Sequence, residues 1–415
     1  MKPSGNMDVQ PWMTAPETQA VMKALMADGA LARFVGGCVR DALLKRDVHD
    51  IDLATTALPE TVLALLQREG IHTIPTGIAH GTVTAVLDHK PFEITTLRRD
   101  VETYGRHAKV AYTDDWKEDA ARRDFTMNAV FCDMDGTLYD PFGGIEDLFA
   151  GRVRFVGDPQ ARIEEDVLRL LRFFRFYAEY GKAPPDAAAL AACKKFAPHL
   201  PKLSGERVRA ELLRLLGAAA SPDVVRRMAE DGVLEHILPE ATDLEVLARL
   251  VAIETEMAMP APIRRLASLL PPGRGEVGEI AARLKLSNVE KRRLMALATS
   301  PIGVGGFEDA KGVRRLLYGL GPDAVTDQVL LHWARLGPEA SEAETAPCRL
   351  AVAEAKNWQA KAFPVTGKDM LALGLRAGPE MGALLESVEA WWIEGDFAAS
   401  RAQCLEKAKA LLEGA

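Results

Sequence analysis

The chain has 415 residues, a formal net charge of −8 at pH 7 and five cysteines. Its length allows more than one core, about two to four domains, and the acidic balance is not that of a uniformly basic nucleic-acid binder. Cysteines without a C-x-x-C pair or an even framework exclude a zinc ribbon and point to reduced thiols. Residues 1–12 lack a leader pattern and no apolar run reaches membrane length, so a soluble, cytoplasmic protein is expected.

In chain order, an apolar run over 31–35 ends in Gly36-Gly37-Cys38-Val39-Arg40-Asp41. Paired glycines there allow a sharp turn that exposes backbone N–H groups to a phosphate, and Arg40 adds a fixed positive charge. A short helix over 41–45 leads to His49-Asp50-Ile51-Asp52-Leu53-Ala54-Thr55. Asp50 and Asp52, flanked by Ile51 and Leu53, project to one face of an extended strand, a geometry suited to Mg²⁺. Each piece has an ordinary alternative, a plain strand-to-helix turn and an exposed acidic loop. Their order within about 20 residues is that of one sheet presenting phosphate-binding amides beside metal-binding carboxylates.

Runs rich in β-branched residues at 81–87, 92–97 and 128–132 predict short strands, with turns at Pro75-Thr76-Gly77 and Asp135-Gly136. Glu93, between Phe92 and Ile94, is either a third carboxylate facing the metals or a solvated strand-face glutamate, and alternation leaves both open. Arg122-Arg123-Asp124-Phe125-Thr126-Met127-Asn128-Ala129 follows, its arginines placed before a sharp turn. Near residue 150 the texture changes. Apolar residues at three-and-four spacing predict helices over 163–179, 187–197, 205–216, 222–231 and 244–256, and Gly/Pro breaks at 271–275 and 303–306 divide the helical half. The expected fold is α+β: a mixed-sheet head over 1–150, a helical neck over 151–240, and a helical body and tail over 241–415.

On the predicted 163–179 helix, Asp166 and Arg169 are three apart and therefore neighbours, with Arg172 and Arg175 continuing along that face. The ordinary reading is an intrahelical ion pair worth about a few tenths of a kcal/mol. The alternative is that the pair reads a base. Cytosine and adenine both set an exocyclic amine donor beside a ring-nitrogen acceptor, which an aspartate acceptor beside an arginine donor complements. Uracil and guanine present the reverse, and leaving buried charged groups mispaired rejects by ~10⁴ or more.

Together these segments resemble the bacterial tRNA nucleotidyltransferases and poly(A) polymerases of the polymerase-β-like superfamily, specifically the class II CCA-adding branch. The likeness runs from about residue 30 to 215 and includes the Asp140-Pro141-Phe142-Gly143-Gly144 turn with Asp147-Leu148, the Glu165-Asp166-x-x-Arg169-x-x-Arg172 pattern and Ser204-x-Glu206-Arg207. It implies a mixed-sheet, polymerase-β-like nucleotidyltransferase head followed by an all-α neck, body and tail. The implied reaction is template-independent addition of CCA to tRNA 3′ ends from CTP and ATP, with release of pyrophosphate. Asp50 and Asp52 would hold Mg²⁺, and Glu93 would join them as a catalytic carboxylate. Gly37, Arg40 and Arg123 are assigned to the nucleotide, Asp166 and Arg169 to the protein template, and Arg172 and Arg175 to the base or phosphates. Phe125, Thr126 and Asn128 are read as structural, and no catalytic role is given to His80.

Bacterial poly(A) polymerases of this family carry a basic Gly-Arg-Arg-Phe-like strand after the acidic motif. Here that place holds residues 75–83, which resemble the CCA-adding branch. The stretch 98–116, with Tyr104-Gly105-Arg106-His107, matches the flexible loop of full CCA enzymes and places a hinge near Gly105; a solvated loop is the ordinary alternative. A poly(A) or A-adding polymerase is the alternative enzyme, and an inactive helical RNA-binding protein the remote one. Residues 365–370 and 378–382 resemble the family's tail, where glycines opening helices would offer amides to tRNA phosphates or simply cap. No His-Asp phosphohydrolase pattern follows residue 150. Basic stretches at Lys194-Lys195, Lys202, Arg207, Arg209, Arg214 and Lys291-Arg292-Arg293 allow a tRNA-binding stripe on an acidic body.

Overall fold

The computed structural model describes residues 1–104, 107–182, 184–271, 277–299 and 306–413. It folds as two compact units, Met1–Pro239 and Glu240–Ala415, so the change of texture near residue 150 falls inside the first.

The strands of the first unit are β1 (Gly5–Asn6), β2 (Ala32–Val35), β3 (Ile51–Thr55), β4 (His72–Gly77), β5 (Thr82–Leu87), β6 (Lys90–Thr96), β7 (Arg98–Tyr104), β8 (His107–Tyr112), β9 (Phe131–Cys132) and β10 (Thr137–Tyr139). Eight of them form one sheet in the order β1-β10-β9-β2-β3-β6-β5-β4, and β3–β6 is its parallel pair. Side chains alternate across that sheet. Phe34, Leu53, Phe92, Ile94 and Val83 point into a core completed by Met22, Leu25, Val62 and Leu66. The opposite face therefore receives Asp52 and Glu93, which are direct partners in the β3–β6 register.

Several boundaries differ from the sequence reading. The predicted 41–45 helix runs instead over Gly37–Leu43, starting at the glycine turn itself. Asp50 lies one residue before β3. Pro75-Thr76-Gly77 is not a turn but the end of β4, where the register with β5 shifts between Ile74 and Gly77. An edge strand accommodates proline because one of its sides needs no amide donor. The 128–132 strand shortens to β9, preceded by a 3₁₀ turn over Thr126–Asn128. The 98–116 stretch contains a two-stranded antiparallel sheet, β7 with β8; its proposed hinge at Gly105, and Arg106, lie outside the described residues. The Asp135-Gly136 turn is present, with Gly136 at φ +89° and its amide on the Asp133 carbonyl at 3.0 Å.

The largest correction concerns the predicted 163–179 helix, which is two helices, Pro159–Glu165 and Leu168–Tyr180. Asp166 sits between them in extended backbone (φ −152°, ψ 106°), and its carboxylate accepts the Leu168 amide at 3.2 Å. Aspartate competes for backbone amides in this way and so favours breaks over helix interiors. The helices Ala187–Phe196, Gly205–Gly217 and Ser221–Glu230 complete the neck. Head and neck share an aromatic seam: Phe125 lies 4.8 Å from Phe155 and 5.1 Å from Phe176, ring centre to ring centre. The Asp140–Gly144 turn locks beneath it, since a Cβ at Gly144 would fall 2.0 Å from the Thr126 carbonyl oxygen.

The second unit is helical throughout its described residues, including Leu244–Met257, Pro262–Ser268, Pro322–Leu336 and Glu342–Asn357. Of the predicted breaks, residues 272–276 and 301–305 lie outside the described residues. In the tail, Thr366 and Asp369 form a reciprocal capping box on the Gly367–Ala372 helix, and Gly378 precedes the Pro379–Glu394 helix. Among the described residues no helix is long and apolar enough to cross a membrane.

Candidate active site

The site begins where β2 ends. Gly36 takes φ +76°, a conformation that disfavours any side chain. A Cβ there would also sit 3.7 Å from both Arg123 Nη1 and Asp52 Oδ2. The glycine thus turns the chain beside a cation and a carboxylate. Gly37 then opens the helix that carries Arg40.

Asp52 is half-buried, whereas Asp50 and Glu93 are exposed. Burial first, then the neighbouring Glu93 and Asp50 carboxylates, push the Asp52 carboxyl up to about 6, against the pull of Arg123 and Arg40. A carboxylate crowded by two others in this way is one a cation would relieve. Among the described residues no three His, Cys, Asp or Glu side chains converge on one point. Two carboxylates without a protein cage nevertheless suit Mg²⁺, which keeps several waters and takes further oxygens from substrate phosphates.

Beside this strand lies a cavity of about 520 Å³ lined by Gly36, Gly37, Asp52, Asp124, Asn128, Asp166, Leu168 and Phe176 with eight arginines: Arg40, Arg122, Arg123, Arg169, Arg172, Arg175, Arg207 and Arg214. Eight arginines and three aspartates line the hollow, and further carboxylates, Asp41, Asp119, Glu165 and Glu211, hold several of those arginines. Glu93 is outside this lining among the described residues.

Three of the arginines, Arg40, Arg172 and Arg175, are held by a continuous set of hydrogen bonds. Arg40 donates to Asp41 at 2.8 Å and to Asn128 Oδ1 at 2.7 Å, and lies 4.5 Å over the Tyr180 ring. Asn128 donates to Asp124 at 3.0 Å, and Asp124 accepts Arg172 Nε at 2.7 Å. Burial would raise Asp124, but Arg172, Asn128 and the Phe125 amide together hold its carboxyl far below the usual range. Arg172 reaches Glu211 at 3.5 Å, and Glu211 accepts Arg175 Nε at 2.5 Å. Arg40 and Arg175 are both buried and much of their donor capacity is committed to protein.

Asp166 and Arg169 are not an ion pair. The helix break turns them to different partners: Asp166 accepts Arg207 Nη2 at 2.6 Å, while Arg169 pairs with Glu165 and donates to the Arg162 carbonyl at 2.9 Å. Both nevertheless line the cavity. The sequence reading left Asp119, Asp124 and Glu211 without roles. Asp119 was legible, since it stands three and four residues before Arg122 and Arg123 on one helical turn. Glu211, 36 residues from Arg175 in the chain, was not.

An arginine-lined hollow of about 520 Å³ beside an acidic strand on a mixed sheet is the arrangement of a nucleotidyltransferase. Residues 32–154 match the family described as Poly A polymerase head domain, and 185–244 that described as Probable RNA and SrmB- binding site of polymerase A. The chain is 35% identical over 384 residues to the mitochondrial CCA tRNA nucleotidyltransferase 1 of Danio rerio, spanning 90% of this chain and 86% of that one. It is 31% identical over 388 residues to the CCA-adding enzyme of Enterococcus faecalis, spanning 92% of each. A crystal structure of the Bacillus stearothermophilus CCA-adding enzyme in complex with CTP superposes with a TM-score of 0.73 at 29% identity, over 97% of this chain and 99% of that one. The chain belongs to the family of CCA-adding tRNA nucleotidyltransferases.

Proposed function

We propose that this protein adds C, C and A to tRNA 3′ ends from CTP and ATP, without a nucleic-acid template and with release of pyrophosphate. The observation that carries this reading is the arginine-lined cavity that has Asp52 at its wall and both Asp166 and Arg169 in its lining. Asp50 and Asp52 hold a divalent cation, Mg²⁺, with Glu93 beside them on the same sheet face. When bound, that ion polarises the reacting phosphate and eases deprotonation of the RNA 3′-hydroxyl. Arg123 donates to the triphosphate from the Asp52 side, helped by the Gly37 amide and the charge of Arg40.

Base choice falls to Asp166 and Arg169. Asp166 has one oxygen on the Leu168 amide and the other on Arg207, so a carboxylate with about four acceptor positions still has capacity for an exocyclic amine. Arg172 and Arg175 support the base from the helix behind. The five cysteines are free and buried, which suits the reducing cytoplasm.

The test is staged incorporation: purified protein with tRNA truncated before the first C, after one C and after two, each given one labelled nucleotide. The reading expects C, C and then A, followed by arrest. Continued A addition on complete tRNA would instead assign a poly(A) activity.

A further inference from the structure

The Asp119 carboxylate is 1% exposed, sits on the Trp116–Ala121 helix, and does not line the cavity. Its two oxygens nevertheless hold two arginines that do. Oδ1 accepts Arg122 Nε at 2.8 Å, and also the backbone amide of Arg98, at the root of β7, at 3.3 Å. Oδ2 accepts Arg123 Nη2 at 2.9 Å and Nε at 3.3 Å. Burial works against this charge, but Arg123 and Arg122 outweigh it and keep the carboxyl below its ordinary range.

The grip on Arg123 has a direction. With the Nε and Nη2 edge turned to Asp119, the remaining corner, Nη1, lies beside Gly36, 3.7 Å from where a Cβ of that residue would sit, a point that is also 3.7 Å from Asp52 Oδ2. A guanidinium has a rigid planar fork, so fixing one edge fixes where the other corner donates. We propose that Asp119 is the positioning residue of the nucleotide site: it orients Arg123, with Arg122 beside it, so that Nη1 meets the triphosphate at the Asp52 wall. This rests on the nucleotide-transfer reading above. It adds that arginine orientation at this wall, and not charge alone, sets turnover.

An asparagine at 119 keeps the volume but replaces one acceptor by a donor, which turns an N–H toward a guanidinium that has only donors. Displacing a reacting group's partner by about 1 Å costs about a hundred-fold in rate. Asp119→Asn should therefore lower kcat/KM by about that factor for CTP and ATP alike, because the triphosphate is common to both, while leaving the preference for CTP over UTP unchanged.

The decisive measurement is a double-mutant cycle on truncated tRNA with Asp119→Asn, Arg123→Ala and both together. If Asp119 acts through Arg123, the double variant is no slower than Arg123→Ala alone. Losses that multiply would overturn the proposal, as would an Asp119→Asn enzyme with parental kcat and KM. Should Asp119→Asn not fold, Asp119→Glu is used in its place: it keeps the charge but shifts the grip, and the cycle is read the same way. Absence of C and A incorporation by the parent protein would sink the nucleotide-transfer reading itself. That outcome is distinct from any result of the cycle.

Discussion

Each unit contains a buried arginine–carboxylate network, and the two are built differently. In the second unit, Glu254 is fully buried and accepts Arg264 at 2.7 Å and Arg265 at 2.5 Å, while Asp327 binds Arg264 at 2.8 Å and Arg293 at 2.6 Å. Arg264 and Arg265 are each 2% exposed. In the first unit, the chain of bonds from Arg40 through Asn128, Asp124, Arg172 and Glu211 to Arg175 runs along the wall of a cavity of about 520 Å³. The same chemistry is sealed in one place and open in the other. Sealed, it ties helices together; open, it lines the cavity with oriented cations. Arg293, which the sequence placed in a surface stripe, is exposed and also spends two of its donors on Asp327.

The largest effect should come at the acidic wall of the open network. Asp50→Ala or Asp52→Ala should abolish nucleotide incorporation while thermal unfolding and tRNA binding stay near the parent's, because the cation proposed to be held there would have no substitute. Near-normal turnover by either variant would remove the metal assignment.

Breaking the sealed network should do the opposite. Glu254→Ala removes the carboxylate shared by the buried Arg264 and Arg265 guanidinium groups, Arg264 keeping Asp327, and should cost about 3–5 kcal/mol of stability. Measured at a temperature where the variant is folded, CTP affinity should be unchanged. A large loss of CTP affinity in folded protein would show that the sealed network is not merely structural.

A smaller, pH-dependent effect belongs to Asp124. Its folded-state pKa lies below the unfolded value of about 4. The unfolded chain therefore takes up the proton first as pH falls. The stabilisation is complete above the unfolded value and drains away below it. Asp124→Asn should lower stability by roughly 2–3 kcal/mol at pH 7, and the gap in melting temperature should narrow from about pH 4 downward and close only well below pH 3. A constant gap across that range would assign the loss to packing instead of charge.

These networks also mark the limit of what the sequence discloses. The turn at Gly36, the acidic strand and the face of Glu93 follow from local rules, glycine conformation and two-residue alternation, and the β3–β6 register sets Asp52 opposite Glu93. Apolar spacing likewise locates the helices Ala187–Phe196, Gly205–Gly217, Ser221–Glu230 and Leu244–Met257 to within a residue or so. The helix break at Asp166 escaped because three-residue spacing on an apolar-periodic stretch looks helical, while the decisive hydrogen bond is aspartate to its own backbone two residues on. Asp124–Arg172 and Glu211–Arg175 escaped for another reason. Their partners are 48 and 36 residues apart, so only tertiary packing brings them together.

The central claim is that the open cavity reads a nucleotide base through Asp166 and Arg169, which both line it although the two do not bond each other. It is tested most directly by the ratio of CTP to UTP incorporation on truncated tRNA, measured for the parent, Asp166→Ala and Arg169→Ala. The account predicts slower C and A addition by both variants and a discrimination ratio that falls by about ten-fold or more as the mispairing penalty disappears. Variants that slow yet reject UTP as strongly as the parent would contradict it, and would leave Asp166 and Arg169 as supports of the helix break alone.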